Sequence, residues 1–226
     1  MNEHQIIWDL PGSEIEAESF RRIEAEVSPE QRARFTGAEW RVARRLIHTT
    51  ADFSICEVLE FGGDPIGELR SALSRGAAIY SDSNMIKAGL SVPKLQKFHP
   101  GYRRESILCE IASPEVAALA AQENIARALA AVRLYRDQIE NGIFLCGNAP
   151  LALAGILRMK LRPAVVIAMP VGFVNVVESK MMLDGTGLRL VVEVSSAAKE
   201  LLTVTVLERH QEQPPEHPAT LIQALS

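Results

Sequence analysis

Short apolar runs separated by helical patterns constrain the fold of this chain more than any other feature. Three of these runs lie at residues 143–146, 164–169 and 188–194. A strand with one face in water alternates apolar and polar residues, whereas a strand covered on both faces is mostly apolar. The helical patterns between the runs predict parallel strands joined by crossover helices. We therefore expect a single-domain α/β fold with a mostly parallel sheet and helices on both faces.

The remaining elements follow the same alternation of strand and helix. Further strands are expected at residues 77–80 and 106–111. The expected helices lie at residues 13–23, from Pro29 toward His48, and at residues 65–73, 114–139, 149–159 and 175–183. With 226 residues, of which 47% are hydrophobic, the chain can bury one large core. We expect one domain over residues 1–210 and a polar, poorly ordered tail over residues 211–226.

Polar and glycine-rich or proline-rich residues follow three of the predicted strands, at residues 81–85, 147–150 and 170–173. In a parallel α/β sheet, ligands bind beyond the carboxyl ends of the strands. Gly147 and Gly172 would let the backbone approach a flat ligand, and the helix that follows residue 149 would offer amides to carboxylates. The sequence therefore predicts a binding site at this edge of the sheet.

Composition excludes several classes of function and location. The net charge is −4, which disfavours nucleic-acid binding. The first residues lack the basic and apolar regions of a secretory signal, and no apolar run reaches the length of a membrane span, so we expect a cytoplasmic protein.

Residues 87–104 contain basic side chains and no acid. This stretch fits either a solvated loop or a cationic lid over an anionic ligand.

Cofactor, metal and nucleophile motifs are missing from the sequence. The three cysteines are widely spaced in apolar settings, which predicts reduced buried thiols, and the five histidines show no metal-ligand spacing. No Gly-x-Gly-x-x-Gly, P-loop or Gly-x-Ser-x-Gly motif stands in a fitting context. We therefore expect no metal site, and we disfavour a dehydrogenase, a kinase or a hydrolase.

His48 is the histidine whose neighbours in the sequence could support catalysis or binding. Upstream, apolar residues recur at helical spacing, at Trp40, Ala43 and Leu46, so His48 is expected beside a buried row near the end of a helix. Two threonines follow it, and Asp52 is expected one turn further on. A core histidine that bonds to the backbone and a catalytic histidine both fit this pattern.

Three stretches carry a resemblance to a known family. They are Arg-Leu-Ile-His-Thr-Thr-Ala-Asp at residues 45–52, Gly-Asn-Ala-Pro-Leu-Ala-Leu at 147–153, and Pro-Val-Gly-Phe-Val-Asn-Val-Val-Glu-Ser-Lys at 170–180. In this order they resemble signatures of precorrin-8X methylmutase, an isomerase of cobalamin biosynthesis. The resemblance implies a methyl shift from C-11 to C-12 of precorrin-8X, or of its cobalt form, without added cofactor. Hydrogenobyrinic acid or cobyrinic acid would be the product, and a homodimer with pockets near its interface would be the assembly.

The resemblance also implies roles for single residues. His48 matches the catalytic histidine, and Ser19 and Arg45 match positions that contact the substrate. The other substrate-binding candidates are Thr49, Asp82, Met85, Asn148, Gly172 and Lys180. The macrocycle carries several carboxylates, which an arginine such as Arg45 can bind with two parallel hydrogen bonds.

Two departures from the family pattern leave a second function open. A Gly-Arg-x-Gly-Gly-Ser loop is usual after the last strand, whereas residues 193–199 read Glu-Val-Ser-Ser-Ala-Ala-Lys. In the predicted helix over residues 114–139, the usual Gly-Asn-Thr-Arg becomes Glu-Asn-Ile-Ala, which places Arg127 one position late and rotated by about 100°. Both changes remove carboxylate-binding groups. A non-catalytic corrinoid-binding protein with the same fold is therefore the alternative.

Overall fold

The structure is a computed structural model that describes residues 10–170, 172–188 and 190–193. The chain divides into two compact units, with the boundary in the sequence between Glu57 and Val58. We call residues 10–57 the helical unit and the described residues from 58 onward the sheet unit. The predicted boundary at residue 210 and the predicted tail lie outside the described residues.

Four helices begin in the described part of the helical unit, and capping boxes start two of them. These helices are α1 (Gly12–Glu26), α2 (Pro29–Ala33), α3 (Gly37–Thr50) and, at the end of the unit, α4 (Ile55–Val58). The prediction of one helix from Pro29 toward His48 was wrong, because Thr36 starts a new helix. Its hydroxyl accepts from the Glu39 amide at 3.4 Å while the Glu39 carboxylate accepts from the Thr36 amide at 2.7 Å. The predicted row of Trp40, Ala43 and Leu46 is buried.

The sheet unit contains six strands in its described part. They are β1 (Leu59–Gly62), β2 (Ile79–Ser81), β3 (Ile107–Leu108), β4 (Ile143–Cys146), β5 (Val165–Ala168) and β6 (Leu190–Glu193), in the sheet order β1-β6-β5-β4-β2-β3. All pairings are parallel except that of β1 with β6. The predicted fold class is confirmed. The edge strand β1 was missed, because its four residues lie next to a glycine-rich turn and show no clear alternation.

Helices cover both faces of this sheet. They are α5 (Pro65–Ser74), α6 (Asn84–Gly89), α7 (Val92–Gln96), α8 (Pro114–Glu123), α9 (Arg127–Leu134), α10 (Arg136–Ile139), α11 (Pro150–Arg158) and α12 (Val176–Met181). Phe144 and Val166 join a buried cluster with residues of α8, α9 and α11. Leu145 and Ile167 point to the opposite face and are equally buried. This double coverage explains why β4 and β5 are apolar throughout.

The predicted helix over residues 114–139 is broken into α8, α9 and α10. Asn124 ends α8 with a left-handed backbone at φ 51°, and Ala126 is extended before α9 starts at Arg127. Asn is one of the few residues that adopts this conformation at low cost. The argument that Arg127 is rotated about a continuous helix was therefore wrong, since Arg127 begins a new one.

The basic segment of residues 87–104 is also more ordered than predicted. It contains α7 and is anchored by Leu90 and Leu95, which are fully buried. Arg103 and Arg104 lie a few residues before β3, which runs parallel to β2. They therefore lie near the amino edge of the sheet, and the cationic lid over an anionic ligand stays a prediction.

Within the described ranges, no helix is both long enough and apolar enough to span a membrane.

Candidate functional site

His48 is held by two neighbours on α1, within the helical unit. The Ser19 hydroxyl oxygen lies 2.6 Å from His48 Nδ1. The Phe20 ring meets the imidazole edge-on, with the ring centroids 5.3 Å apart and the planes at 63°. His48 is half-buried, unlike the fully buried Leu46 and Ile47 beside it. The contact with Ser19 therefore orients the imidazole through Nδ1.

Two arginines flank the same phenylalanine. The guanidinium carbons of Arg44 and Arg45 lie 4.4 and 5.8 Å from the Phe20 ring centroid, within the range of cation–π attraction. Arg44 donates to Glu24 at 2.6 Å, and Arg45 forms an ion pair with Glu16. Arg45, the predicted carboxylate ligand, is thus near the histidine but is paired with a carboxylate of the chain itself.

A cavity of about 280 Å³ opens beside Ser19. Its wall is formed by Leu10, Ile15, Glu18, Ser19 and Arg22. Arg22 donates to Glu18 at 2.8 Å, and this hydrogen bond lowers the pKa of the Glu18 carboxyl. The cavity therefore combines an apolar part with a charged pair at the position of the serine that contacts His48.

The residues that follow His48 serve the backbone. The hydroxyl of Thr49 donates to the Arg45 carbonyl at 2.9 Å, a local bond common for threonine in helices. Asp52 is not one turn further along the helix, because Ala51 ends α3 with a left-handed backbone at φ 53°. Its carboxylate accepts from the Ser54 amide at 2.8 Å.

Asp82 organises the carboxyl edge of the sheet unit. It follows β2, and its two carboxylate oxygens accept three backbone amides of the loop between β4 and α11. The distances are 3.0 Å from Gly147, 2.9 Å from Asn148 and 2.6 Å from Ala149. The Cys146 thiol donates to the same carboxylate at 3.3 Å. The predicted meeting of the two loops at one edge is therefore observed.

Asp82 is 4% exposed, so these bonds replace those that water would make. Burial raises the pKa of Asp82, and the three amide bonds oppose that increase. We expected the loop amides to be available to carboxylates of a ligand. That expectation was wrong for Gly147, Asn148 and Ala149, because a carboxylate of the chain occupies them.

The other candidates of the sheet unit differ in exposure. Asn148 is exposed, and Met85 is 67% exposed. Gly172 has φ 126°, a conformation that side chains rarely adopt, which explains the glycine there. Lys180 is buried at 3% exposure and lines a cavity of about 460 Å³ formed by residues 60–63, 180, 181 and 183–188.

The Ser19–His48 and Asp82–Ala149 contacts were not predicted from the sequence. Each joins residues far apart in the chain, 29 positions in the first case and 67 in the second. The spacing of polar residues along the chain carries no information at such separations. Among residues 10–170, 172–188 and 190–193, no group of three histidine, cysteine, aspartate or glutamate side chains is arranged to hold a metal ion.

All three cysteines are free and buried, as predicted. Burial raises the pKa of Cys56, Cys109 and Cys146, and the negative charge of Asp82 adds to the increase at Cys146. Since the thiolate is the reactive form, the native protein should not react with Ellman's reagent at pH 8 over several minutes. Three thiols should react once guanidinium unfolds the chain. Rapid reaction of any thiol in the native state would contradict the structure.

The fold and the geometry define an α/β protein with a hydrogen-bonded histidine in its helical unit and a buried carboxylate at the carboxyl edge of its sheet. Comparison with known families identifies the particular family. Residues 14–198 match the precorrin-8X methylmutase family model. The chain belongs to the precorrin-8X methylmutase family and is a methyl-shifting isomerase of cobalamin biosynthesis.

Individual relatives agree with this membership. The chain is 35% identical to cobalt-precorrin-8 methylmutase of Methanocaldococcus jannaschii over 66% of its own length and 67% of the relative. It is 32% identical to precorrin-8X methylmutase of a Sinorhizobium species over 80% of its own length and 82% of the relative. The crystal structure of precorrin-8X methylmutase from Thermus thermophilus superposes with a TM-score of 0.77 at 34% identity, covering 88% of this chain and 95% of that one.

Proposed function

We propose that this isomerase moves the methyl group at C-11 of precorrin-8X, or of its cobalt form, to C-12, with His48 as the catalytic residue. Hydrogenobyrinic acid, or cobyrinic acid from the cobalt form, is then the product. The contact between Ser19 and His48 Nδ1 at 2.6 Å is the observation that carries this proposal. It holds a half-buried imidazole in one orientation through its Nδ1 atom.

The reaction needs proton placement rather than an electron acceptor. The methyl group breaks its bond to C-11 and forms one to C-12 in the same macrocycle, so substrate and product are isomers. When the Ser19 hydroxyl donates to His48 Nδ1, the neutral imidazole carries its hydrogen on Nε2. That N–H can donate to a ring nitrogen and stabilise the charge that develops in the conjugated system during migration. Phe20 limits rotation of the imidazole through its edge contact.

The substrate contacts are proposed from the family pattern together with exposure. Met85 and Asn148 are exposed, and Ser19 borders a cavity. Arg45, Thr49, Gly172 and Lys180 complete the proposed set on the family pattern alone. The guanidinium of Arg45 would bind a substrate carboxylate by exchanging its Glu16 partner, a replacement of one carboxylate by another. Asp82 is left out of this set because both its oxygens are already hydrogen-bonded.

Direct conversion distinguishes this proposal from a corrinoid carrier. Purified protein mixed with a stoichiometric amount of precorrin-8X should give the absorption spectrum of hydrogenobyrinic acid without any added cofactor. The cobalt form should be tested in parallel, since relatives carry both names. A bound macrocycle whose spectrum does not change would favour the carrier and contradict the proposed function.

We also propose that the protein is a homodimer. An apolar surface on and around α12 supports this assembly, and it consists of Phe173, Val174, Val177, Met181 and Met182, all exposed. Phe173 is fully exposed at 103%, and an apolar cluster of this kind marks an interaction surface.

The three free, buried thiols are typical of a reducing compartment, so we place the enzyme in the cytoplasm.

Charge on the apolar surface should disrupt the dimer. Light scattering at micromolar concentration should give twice the chain mass of 24.8 kDa for the wild type and a shift toward a single chain for Phe173→Glu. Leu134→Glu is the control, because Leu134 is 45% exposed on α9 and lies outside this surface. A wild-type monomer, or an equal shift in both variants, would contradict this proposal.

A further inference from the structure

The amides of Gly147, Asn148 and Ala149 form an anion-binding group at the start of α11. Consecutive backbone N–H groups before a helix attract anions, because their dipoles and the helix dipole act together. In many α/β proteins such a group binds a ligand. In this chain Asp82, at the end of the neighbouring parallel strand, fills it from inside the protein.

The hydrogen-bond donors around Asp82 require a carboxylate at this position and not an amide. Four donors, three amides and the Cys146 thiol, converge on two oxygens of a side chain that is almost fully buried. An asparagine of the same shape would replace one oxygen by an NH₂ group, which would face N–H donors and leave them unsatisfied. Water cannot take over these bonds at 4% exposure. The loop conformation therefore depends on an ionisable carboxylate at residue 82.

The hydrogen bonds of Asp82 fix the backbone at Asn148. Its backbone amide is held by Asp82, and so are the amides on both sides of it, while the residue itself is exposed. A side chain on a loop has a defined position only when the backbone beneath it is fixed. We propose that Asp82 is a positioning residue, which fixes the 147–149 loop so that the Asn148 side chain meets the macrocycle, and that Asp82 itself does not touch the substrate. This inference rests on the proposed function of Asn148 as a substrate contact.

Coupling between the two residues tests the inference through activity. Asp82→Asn should lower kcat/KM by about 10- to 100-fold, and Asn148→Ala should lower it by a similar factor. If Asp82 acts through Asn148, adding Asp82→Asn to Asn148→Ala should lower kcat/KM by less than about threefold more. Asp137→Asn is the matched control, because that carboxylate is 87% exposed and should leave kcat/KM unchanged. Additive losses in the double variant would overturn the proposed route through Asn148.

Hydrogen exchange of the wild type tests the positioning without any variant and without turnover. The Asn148 and Ala149 amides precede the hydrogen-bonded part of α11, and such amides exchange rapidly in solvated loops. Held by a buried carboxylate, they should exchange about 100-fold or more slowly than the same residues in an unstructured peptide, and bound hydrogenobyrinic acid should not release them. Rapid exchange of both amides would overturn the inference even in an active enzyme. Protected amides in a protein that fails to convert precorrin-8X would instead contradict the proposed function and leave the role of Asp82 in the loop intact.

Discussion

Replacing His48 by alanine is expected to lower the rate of the methyl shift by about 10²- to 10⁴-fold, the usual contribution of a positioned acid or base. Binding of hydrogenobyrinic acid should change by less than about threefold, since the imidazole acts on the reacting system and other groups hold the macrocycle. Single-turnover absorption measurements give the rate, and titration of the product gives the affinity.

The other described histidine provides the control. His99 accepts a hydrogen bond from the Gly101 amide at 3.1 Å in the sheet unit, and His99→Ala should leave the rate of the methyl shift unchanged. The rate of the methyl shift in Ser19→Ala should lie between those of His48→Ala and His99→Ala, with a loss of about tenfold. The substitution removes the group that orients His48 Nδ1 but leaves the imidazole in place. Full turnover by His48→Ala would contradict the assigned mechanism.

The second large effect is on stability. Leu153→Ala should lower the free energy of unfolding by about 2–5 kcal/mol, because Leu153 is completely buried in the cluster between the sheet and the helices α8, α9 and α11. The packing there leaves little room for collapse around a cavity. A Cβ added at Gly155 in the same helix would lie 2.9 Å from Leu129 Cδ1. Urea unfolding followed by far-UV circular dichroism measures the change.

Leu151→Ala is the matched control, since it makes the same chemical change two residues earlier in α11. Leu151 is 36% exposed, and its replacement should cost less than about 1 kcal/mol. Equal shifts of the two urea midpoints would show that α11 does not present the face that the structure assigns to the core.

The sheet could be predicted from sequence because its signal is local and strong. Val165, Val166 and Ile167 form an apolar run typical of a strand covered on both faces, and every residue of β4 and β5 is buried. Parallel pairing also predicted that the loops after these strands lie at the same edge of the sheet. The strand β1 escaped prediction because it pairs antiparallel at the edge and only Leu59 is fully buried.

Helix boundaries were less predictable, for a different reason. The breaks at Thr36 and Asn124 come from a capping box and a left-handed asparagine. Both residues are compatible with a helix interior when only apolar spacing is considered.

The candidate site was predictable only in part. The motif around His48 singled out the histidine, and family resemblance brought in Ser19, but the bond between them joins two helices and depends on tertiary packing. Asp82 shows the same limit more clearly. A carboxylate after a strand looks like a ligand-binding group in sequence, whereas its position beside the parallel strand β4 turns it toward the amides of its own chain.

The central claim is that this protein moves a methyl group within one macrocycle. Precorrin-8X labelled with ¹³C in the C-11 methyl group tests it most directly, with the product followed by NMR in the presence of unlabelled S-adenosylmethionine. We predict that the labelled methyl signal moves to the chemical shift of the C-12 methyl group with full retention of ¹³C. A substrate that stays bound with its label at C-11, or a product whose methyl group has lost ¹³C, would contradict the account.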